Sequence, residues 1–139
     1  MDLRSPSLIE NVVNGYPASV QLRFEEFRQL ITEVASNIED LKRLDEEIKW
    51  GEPSYKSNIG SPVRFGWSSK RPDQFGIYFV CSTSLVETFQ KVFPGVFTLD
   101  GNRGLIFDIN LALSREPLER CLEAALRYKK LKDLPFLGL

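Results

Sequence analysis

Residues 46–57, EEIKWGEPSYKS, begin and end like a β-strand but contain a glycine and a proline that interrupt it. Gly51 accepts backbone angles that other residues avoid, and Pro53 has no N–H to donate to a neighbouring strand. Glu52, which precedes the proline, is restricted to extended angles. The stretch therefore predicts a strand that kinks or bulges at its middle.

A bulge would change which face of the sheet receives the rings of Trp50 and Tyr55. A regular strand sends these two residues to opposite faces, whereas one extra residue brings them to the same face. Such a bulge would direct both rings toward one site. The alternative is that Trp50 fills the core while Gly51 and Pro53 only turn a corner, and both interpretations remain open.

The size and composition are those of one compact domain. The chain has 139 residues, of which 42% are hydrophobic, and this favours a single core. Its formal net charge of −1 does not indicate a particular class of binding partner. No segment approaches the roughly 20 apolar residues of a membrane span, and the N-terminus lacks a secretory signal pattern. We expect a soluble cytoplasmic protein that binds no membrane.

The sequence contains no histidine and only two cysteines, Cys81 and Cys121. Histidine is the commonest general base and metal ligand, so its absence excludes Ser/His/Asp and Cys/His nucleophile arrangements. Phosphate-binding glycine motifs are also missing. Both cysteines lie among apolar neighbours and are predicted to be reduced thiols in the core. We therefore predict that the protein is not an enzyme and needs no cofactor.

Helical patterns dominate the first third of the chain. Residues 1–16 are predicted to form an N-terminal arm that is ordered only if it docks onto the domain of residues 17–139. From Pro17 onward, apolar residues recur at helical spacing and predict an amphipathic helix. A second, shorter helix is predicted from Ile38, Leu41 and Leu44. The apolar stripe of the first helix comprises Val20, Phe24, Phe27, Ile31 and Val34.

Strand patterns dominate the middle. Residues 62–69, PVRFGWSS, alternate apolar and polar side chains, and residues 74–81, QFGIYFVC, are apolar on both faces, which is typical of a central strand. Residues 100–104, DGNRG, predict a tight hairpin between two further strands. This order of elements indicates an α+β fold, with helices packed on a mostly antiparallel sheet of about five strands.

Two more helices are predicted in the second half of the chain. Ser84 and Glu87 have the spacing of a capping box and predict the start of one helix, which ends near Pro94. Pro117 suits the first turn of a closing helix whose last turns are rich in lysine and arginine. The helix dipole explains this basic cluster, so we expect no nucleic-acid binding.

The stretch Ile48 to Tyr55, IKWGEPSY, resembles the tryptophan, glycine, any residue, proline signature of the YdhG-like domain family. The hairpin of residues 100–103 and the closing helix with its final LPFLG are also similar to that family, so the resemblance covers roughly residues 17–138. It implies a small bacterial protein with an α+β fold likened to frataxin. For some members a role in intracellular iron handling has been proposed.

One departure from the family bears on that role. Many relatives carry a lysine and histidine pair before the strand that here begins Gln74, Phe75, Gly76, and this chain has no histidine. Iron would instead require carboxylates, which hard cations prefer. Glu26 and Glu33 share one face of the first helix and are the candidate metal ligands. The alternative is that these acids pair with neighbouring arginines on a solvated surface.

The main functional hypothesis is a ligand-binding groove. Its candidate residues lie on neighbouring predicted strands and at the hairpin tip, and they comprise Trp50, Tyr55, Arg64, Trp67, Asn102 and Arg103. If they converge, they form an aromatic-walled groove with guanidinium groups for a small anionic or planar ligand. Arg64 could instead pair with Glu52 or Asp108. A homodimer formed through the apolar tail, residues 134–137, is a further use of exposed surface.

Overall fold

The computed structural model describes residues 1–5 and 8–139. Helices and strands follow one another as predicted for an α+β chain, with more strands than expected. The strands are β1 (Asp2–Arg4), β2 (Arg43–Lys49), β3 (Glu52–Ser57), β4 (Val63–Gly66), β5 (Gln74–Phe79), β6 (Thr98–Asp100) and β7 (Gly104–Asp108). The helices are α1 (Leu8–Asn14), α2 (Ala18–Ser36), α3 (Leu85–Val92), α4 (Leu118–Leu126) and α5 (Tyr128–Leu131), followed by a 3₁₀ turn over Pro135–Gly138.

The stretch EEIKWGEPSYKS is a β-hairpin, so the predicted kink within one strand is wrong. β2 and β3 pair antiparallel, with Lys49 opposite Glu52, and Trp50 and Gly51 form the two-residue turn between them. Both turn residues have positive φ, 55° for Trp50 and 76° for Gly51, as a type I′ turn requires. The glycine that was predicted to bulge the chain reverses it instead.

The hairpin belongs to a seven-stranded sheet of order β1-β2-β3-β4-β5-β7-β6. All neighbouring strands pair antiparallel except β1 and β2, which are parallel. The predicted antiparallel α+β architecture is confirmed, but the predicted count of about five strands is too low. One additional strand, β1, comes from the segment predicted as a loose arm, and the other arises because the single strand predicted over residues 46–57 is a hairpin of two strands.

β2 begins at Arg43, three residues before the predicted strand, because residues 43–45 were predicted as the end of a helix. Leu44, Glu46 and Ile48 point to the inner face of the sheet, and Leu44 and Glu46 are fully buried. Because a charged residue occupies an inward position, apolar spacing alone does not show where this strand begins. Residues 38–41 form turns that precede the strand rather than a second helix.

The N-terminal arm docks onto the domain. β1 extends the sheet beside β2, and Ile9 and Val13 of α1 are buried in the core. Pro6, which was read as part of the arm, lies outside the described residues. The buried side chains of α1 to α5 join a single hydrophobic core with the inward-facing residues of the strands. This core covers one face of the sheet, and the candidate site lies on the other.

Helix positions in the second half match the sequence patterns, but two local details differ. Ser84 makes no capping hydrogen bond at the start of α3, and the Thr83 hydroxyl accepts one from the N–H of Leu85 at 3.4 Å. Cys121 is buried, and burial raises the pKa of its thiol to about 12. Cys81, by contrast, is exposed. The prediction of a core thiol is therefore wrong for Cys81, because β5 ends at Phe79, before the chain reaches it.

Candidate functional site

Tyr78 lies at the centre of the uncovered face of the sheet. It stands on β5, directly opposite Arg64 of β4 and Gly104 of β7. Its ring lies flat against three strand glycines, Gly66, Gly76 and Gly104. A Cβ at Gly66 or Gly104 would lie 2.7 Å or 2.6 Å from a carbon of the ring, and one at Gly76 would also collide with it. The three glycines therefore leave room for the Tyr78 ring, and a larger residue at any of them would occupy the space of the ring.

Two arginines flank this ring. The guanidinium carbon of Arg103 lies 5.1 Å from the ring centroid of Tyr78, and that of Arg64 lies 5.9 Å from it. Both distances are within the range of cation–π attraction, which favours guanidinium groups beside the ring. Arg103 also donates a hydrogen bond of 3.1 Å to Asp100. Burial raises the pKa of the Tyr78 hydroxyl, and the negative charge of Asp100 adds to the increase.

Glu52 is the carboxylate closest to this arrangement. Its Oε1 lies 3.4 Å from Nε of Arg64, and its Oε2 lies directly over Gly66. Nε of Arg64 is nevertheless buried without a hydrogen-bond partner among the described residues. Burial raises the pKa of Glu52, and the charges of Arg64 and Arg103 partly oppose that increase. The pair is thus close in space but poorly aligned.

These side chains surround a trough with a volume of about 350 Å³. The β4–β5 loop forms its rim and contributes Lys70 and Arg71, neither of which pairs with a carboxylate in the part of the chain that the structure describes. Trp67 holds the loop in shape by donating from Nε1 to the carbonyl of Pro72 at 3.2 Å. The lining comprises Glu52, Gly66, Trp67, Ser68, Lys70, Arg71, Gln74, Phe75, Gly76, Tyr78, Asp100 and Arg103. The trough is therefore polar, aromatic and richer in cations than in anions.

The structure brings together half of the residues that the sequence assigned to a groove. Trp67 and Arg103 line the trough, and Arg64 lies beside it against Tyr78 and Glu52. Asn102 is at the neighbouring hairpin tip, where its amide donates to the carbonyl of Cys81 at 3.1 Å. Pairing of Arg64 with Glu52, the alternative to ligand binding, is present as an ion pair without an aligned hydrogen bond.

Trp50 and Tyr55 do not meet at this site, so their predicted convergence is wrong. Trp50 is 88% exposed at the β2–β3 turn, and Tyr55 is fully buried on the inner face. There the Tyr55 hydroxyl donates to Glu46, which also receives hydrogen bonds from Ser5 and from Arg28 at 2.8 Å. Burial and the adjacent carboxylate raise the pKa of Tyr55 well above its ordinary value.

Sequence reasoning missed Tyr78, Glu52 and the cations of the β4–β5 loop as site residues. Tyr78 was interpreted as part of a strand buried on both faces, and Glu52 only as a possible partner of Arg64. One signal was available. Glycine is unusual inside strands and often marks a close approach of another group. Gly66 and Gly76 lie within predicted strands, and Gly104 ends the predicted hairpin turn. Their alignment beside one tyrosine depends on the pairing register.

The two carboxylates proposed as metal ligands are engaged with arginines. Glu26 lies 2.7 Å from Arg23, and Glu33 lies 2.8 Å from Arg115. The hydrogen bond from Arg115 holds the pKa of Glu33 below its ordinary value. Within residues 1–5 and 8–139, no group of three or more metal-ligating side chains is gathered. An iron-binding role stays a prediction.

The apolar tail, residues 134–137, is partly exposed. Leu134 and Phe136 are 49% and 57% exposed, whereas Leu137 is buried, so a homodimer through this tail stays a prediction. No helix in the described residues is long and apolar enough to cross a membrane.

Comparisons with known proteins do not add to this description. No protein-family model matches the chain, and searches of curated proteins and of solved structures find no match either. The resemblance to the YdhG-like family therefore stays a prediction based on the tryptophan motif.

Proposed function

We propose that the protein is a non-enzymatic binding module that holds a small planar anion in the trough on the open face of the sheet. The main support is the placement of the Tyr78 ring across three glycines, between the guanidinium groups of Arg64 and Arg103. Glycine inside a strand weakens it, and a large ring on an open sheet face gains little from burial. Such an arrangement is better explained by recognition than by stability.

The preference for an anion follows from the charges. Asp100 pairs with Arg103, and Glu52 lies next to Arg64. These pairs cancel, so Lys70 and Arg71 on the rim contribute the excess positive charge. An exposed ammonium and guanidinium, side by side on a short loop, can receive a carboxylate or phosphate with charge-assisted hydrogen bonds.

The preference for a planar group follows from the walls. The glycine backbone and the Tyr78 ring form a flat floor, and the guanidinium planes beside that ring can stack on a conjugated system. A volume of about 350 Å³ falls near the lower end of the range of roughly 300–1,000 Å³ for small-molecule sites. The trough thus suits a ligand of one or two rings.

Three probes test the proposal by amide NMR titration: benzoate, the neutral benzyl alcohol and inorganic phosphate. Benzoate combines a ring with an anion, so it should shift the amides of Gly76, Tyr78 and Gly104 at lower concentration than either of the other probes. Replacing both Lys70 and Arg71 with alanine should weaken benzoate binding by at least about tenfold, since the loss of even one charge-assisted hydrogen bond of roughly 1.5 kcal/mol corresponds to that factor.

A matched control separates a specific site from general attraction. Replacing Lys129 and Lys130, two exposed neighbouring lysines of α5, removes the same charge far along the chain from the rim. This variant should bind benzoate like the wild type. Equal weakening in both double variants, or shifts spread evenly over the molecule, would show that the trough is not a binding site.

A further inference from the structure

The ion pair between Glu52 and Arg64 leaves hydrogen-bonding capacity unused at the trough. The atoms are 3.4 Å apart, yet Nε of Arg64, which is buried, has no hydrogen-bond partner in the described part of the chain. Glu52 lines the trough, and its Oε2 lies over Gly66 beside the Tyr78 ring. Neither oxygen of Glu52 accepts a hydrogen bond within the described residues. A carboxylate oxygen can accept two hydrogen bonds, so Glu52 presents a free acceptor to whatever enters.

The second carboxylate of the trough is not available in the same way. Asp100 accepts a hydrogen bond of 3.1 Å from Arg103, and Arg103 in turn lies against the Tyr78 ring. Asp100 therefore positions an arginine, whereas Glu52 lies beside an arginine without being satisfied by it. Of the two acids, Glu52 has more unused acceptor capacity, because neither of its oxygens makes a hydrogen bond within the described residues, whereas one oxygen of Asp100 is engaged by Arg103.

The charge pattern also orients the ligand. The cations without carboxylate partners, Lys70 and Arg71, lie on the β4–β5 loop, and Glu52 lies on β3. The Glu52–Arg64 pair is neutral overall and offers an anionic group no net attraction, whereas the rim cations attract it. A bound anion therefore directs its opposite edge toward Glu52, where only a hydrogen-bond donor avoids leaving a half-buried carboxylate unsatisfied.

We infer that the ligand is a planar anion that carries paired N–H donors on the edge opposite its anionic group, and that Glu52 selects it by accepting those donors. The inference rests on the proposed function of the trough. Guanine nucleotides have this pattern, with adjacent N1–H and N2–H donors and a phosphate at the other end. Adenine nucleotides have the same charge and similar size but lack paired donors on that edge.

The test compares guanosine monophosphate with adenosine monophosphate by amide NMR titration. The wild type should bind the guanine nucleotide about tenfold more tightly, as expected for hydrogen bonds to a charged acceptor. In Glu52→Gln the acceptor loses its charge and gains donors of its own, so this preference should fall to about threefold or less. Glu87→Gln on α3, where Glu87 pairs with Lys91 at 3.0 Å, is the matched control and should keep the full preference.

The outcomes are distinguishable. Equal affinity for the two nucleotides in the wild type, or a guanine preference that Glu52→Gln leaves unchanged, would overturn the inference. So would the absence of any nucleotide binding. Benzoate has no N–H donor and reports on the trough alone. If benzoate binds while the nucleotide preference fails, only the role of Glu52 is wrong, whereas failure of benzoate removes the proposed function as well. Circular dichroism of each variant verifies that it is folded.

Discussion

The two faces of the sheet each carry a cluster that includes a glutamate, an arginine and a tyrosine, and the clusters differ in how the hydrogen bonds of these three residues are satisfied. On the inner face, Glu46 accepts from Arg28, Tyr55 and Ser5, and none of its surface is exposed. On the open face, Glu52 and Arg64 lie beside Tyr78 without an aligned hydrogen bond between them.

The difference shows that residue types do not decide whether a polar cluster is structural or functional. The inner cluster is covered by α2, which supplies Arg28, so its groups had to be satisfied within the protein. The open cluster is not covered, and its unused donors and acceptors can be satisfied by a ligand. The same three residue types therefore stabilise the fold on one face and are available for recognition on the other.

The largest expected effect tests this comparison directly. Glu46→Ala leaves the buried Tyr55 hydroxyl without its acceptor and removes the shortest ion pair of Arg28, which keeps weaker pairs with other carboxylates. An unsatisfied buried donor and a lost ion pair together should cost about 2–3 kcal/mol of unfolding free energy. Glu52→Ala removes a partly exposed partner and should cost less than about 1 kcal/mol. Urea denaturation of both variants measures the difference. Similar losses in the two would show that the clusters are energetically alike.

The next effect is a loss of stability at high pH. The folded state raises the pKa of Tyr55 through burial and the Glu46 carboxylate, and burial raises the pKa of Tyr16 to about 12. Both groups keep their protons when folded, whereas an unfolded tyrosine loses its proton near pH 10. Their contribution is therefore complete below about pH 10 and falls as the pH rises further. The contribution of Tyr16 is lost by about pH 12, and that of Tyr55 continues to fall above this pH.

Phenylalanine variants isolate these contributions. Denaturation curves recorded at increasing pH should fall less steeply for Tyr55→Phe and for Tyr16→Phe than for the wild type. Tyr78→Phe, on the open face, should change the slope less than Tyr55→Phe, because its hydroxyl is not hydrogen-bonded to a carboxylate. A wild-type slope retained in Tyr55→Phe would contradict the assignment.

A smaller loss of stability is expected from substituting one of the three glycines that contact the Tyr78 ring. Gly76→Ala places a methyl group where the Tyr78 ring lies, and displacing the ring should cost about 1 kcal/mol, near the lower limit for overpacking, since the ring can move toward solvent. In a Tyr78→Ala background the same substitution should cost little. A double-mutant cycle measures this coupling, and purely additive effects would show that ring and glycine do not interact.

The smallest effect is a gain at the β2–β3 turn. Trp50 has a φ of 55°, which asparagine adopts more easily than tryptophan. Because the Trp50 ring is 88% exposed, Trp50→Asn loses little packing and should raise the unfolding free energy by about 0.5 kcal/mol. Urea denaturation measures the gain. A loss would mean that the ring makes contacts that stabilise the fold.

Sequence patterns predicted α2, β4, β5, the β6–β7 hairpin and α4, because each has an uninterrupted periodicity of its own. The start of β2 was not predicted, since Leu44 also continues the helical spacing of Ile38 and Leu41. The capping box predicted at Ser84 does not form, because the spacing of Ser84 and Glu87 does not by itself determine the backbone angles that a cap requires. Local patterns are informative only where each residue faces the side that its polarity suggests.

The residues of the site can also be divided into those whose proximity could be predicted from local patterns and those whose proximity depends on the tertiary structure. The sequence alone determined that Arg64, Trp67 and Arg103 could lie near one another, since they belong to neighbouring strands and their connections. Only the tertiary structure placed Tyr78 across Gly66, Gly76 and Gly104, and placed Glu52 beside Arg64 while burying Glu46. Those relations depend on the register between strands and on which face the helices cover, and both are set by contacts between residues far apart in the chain.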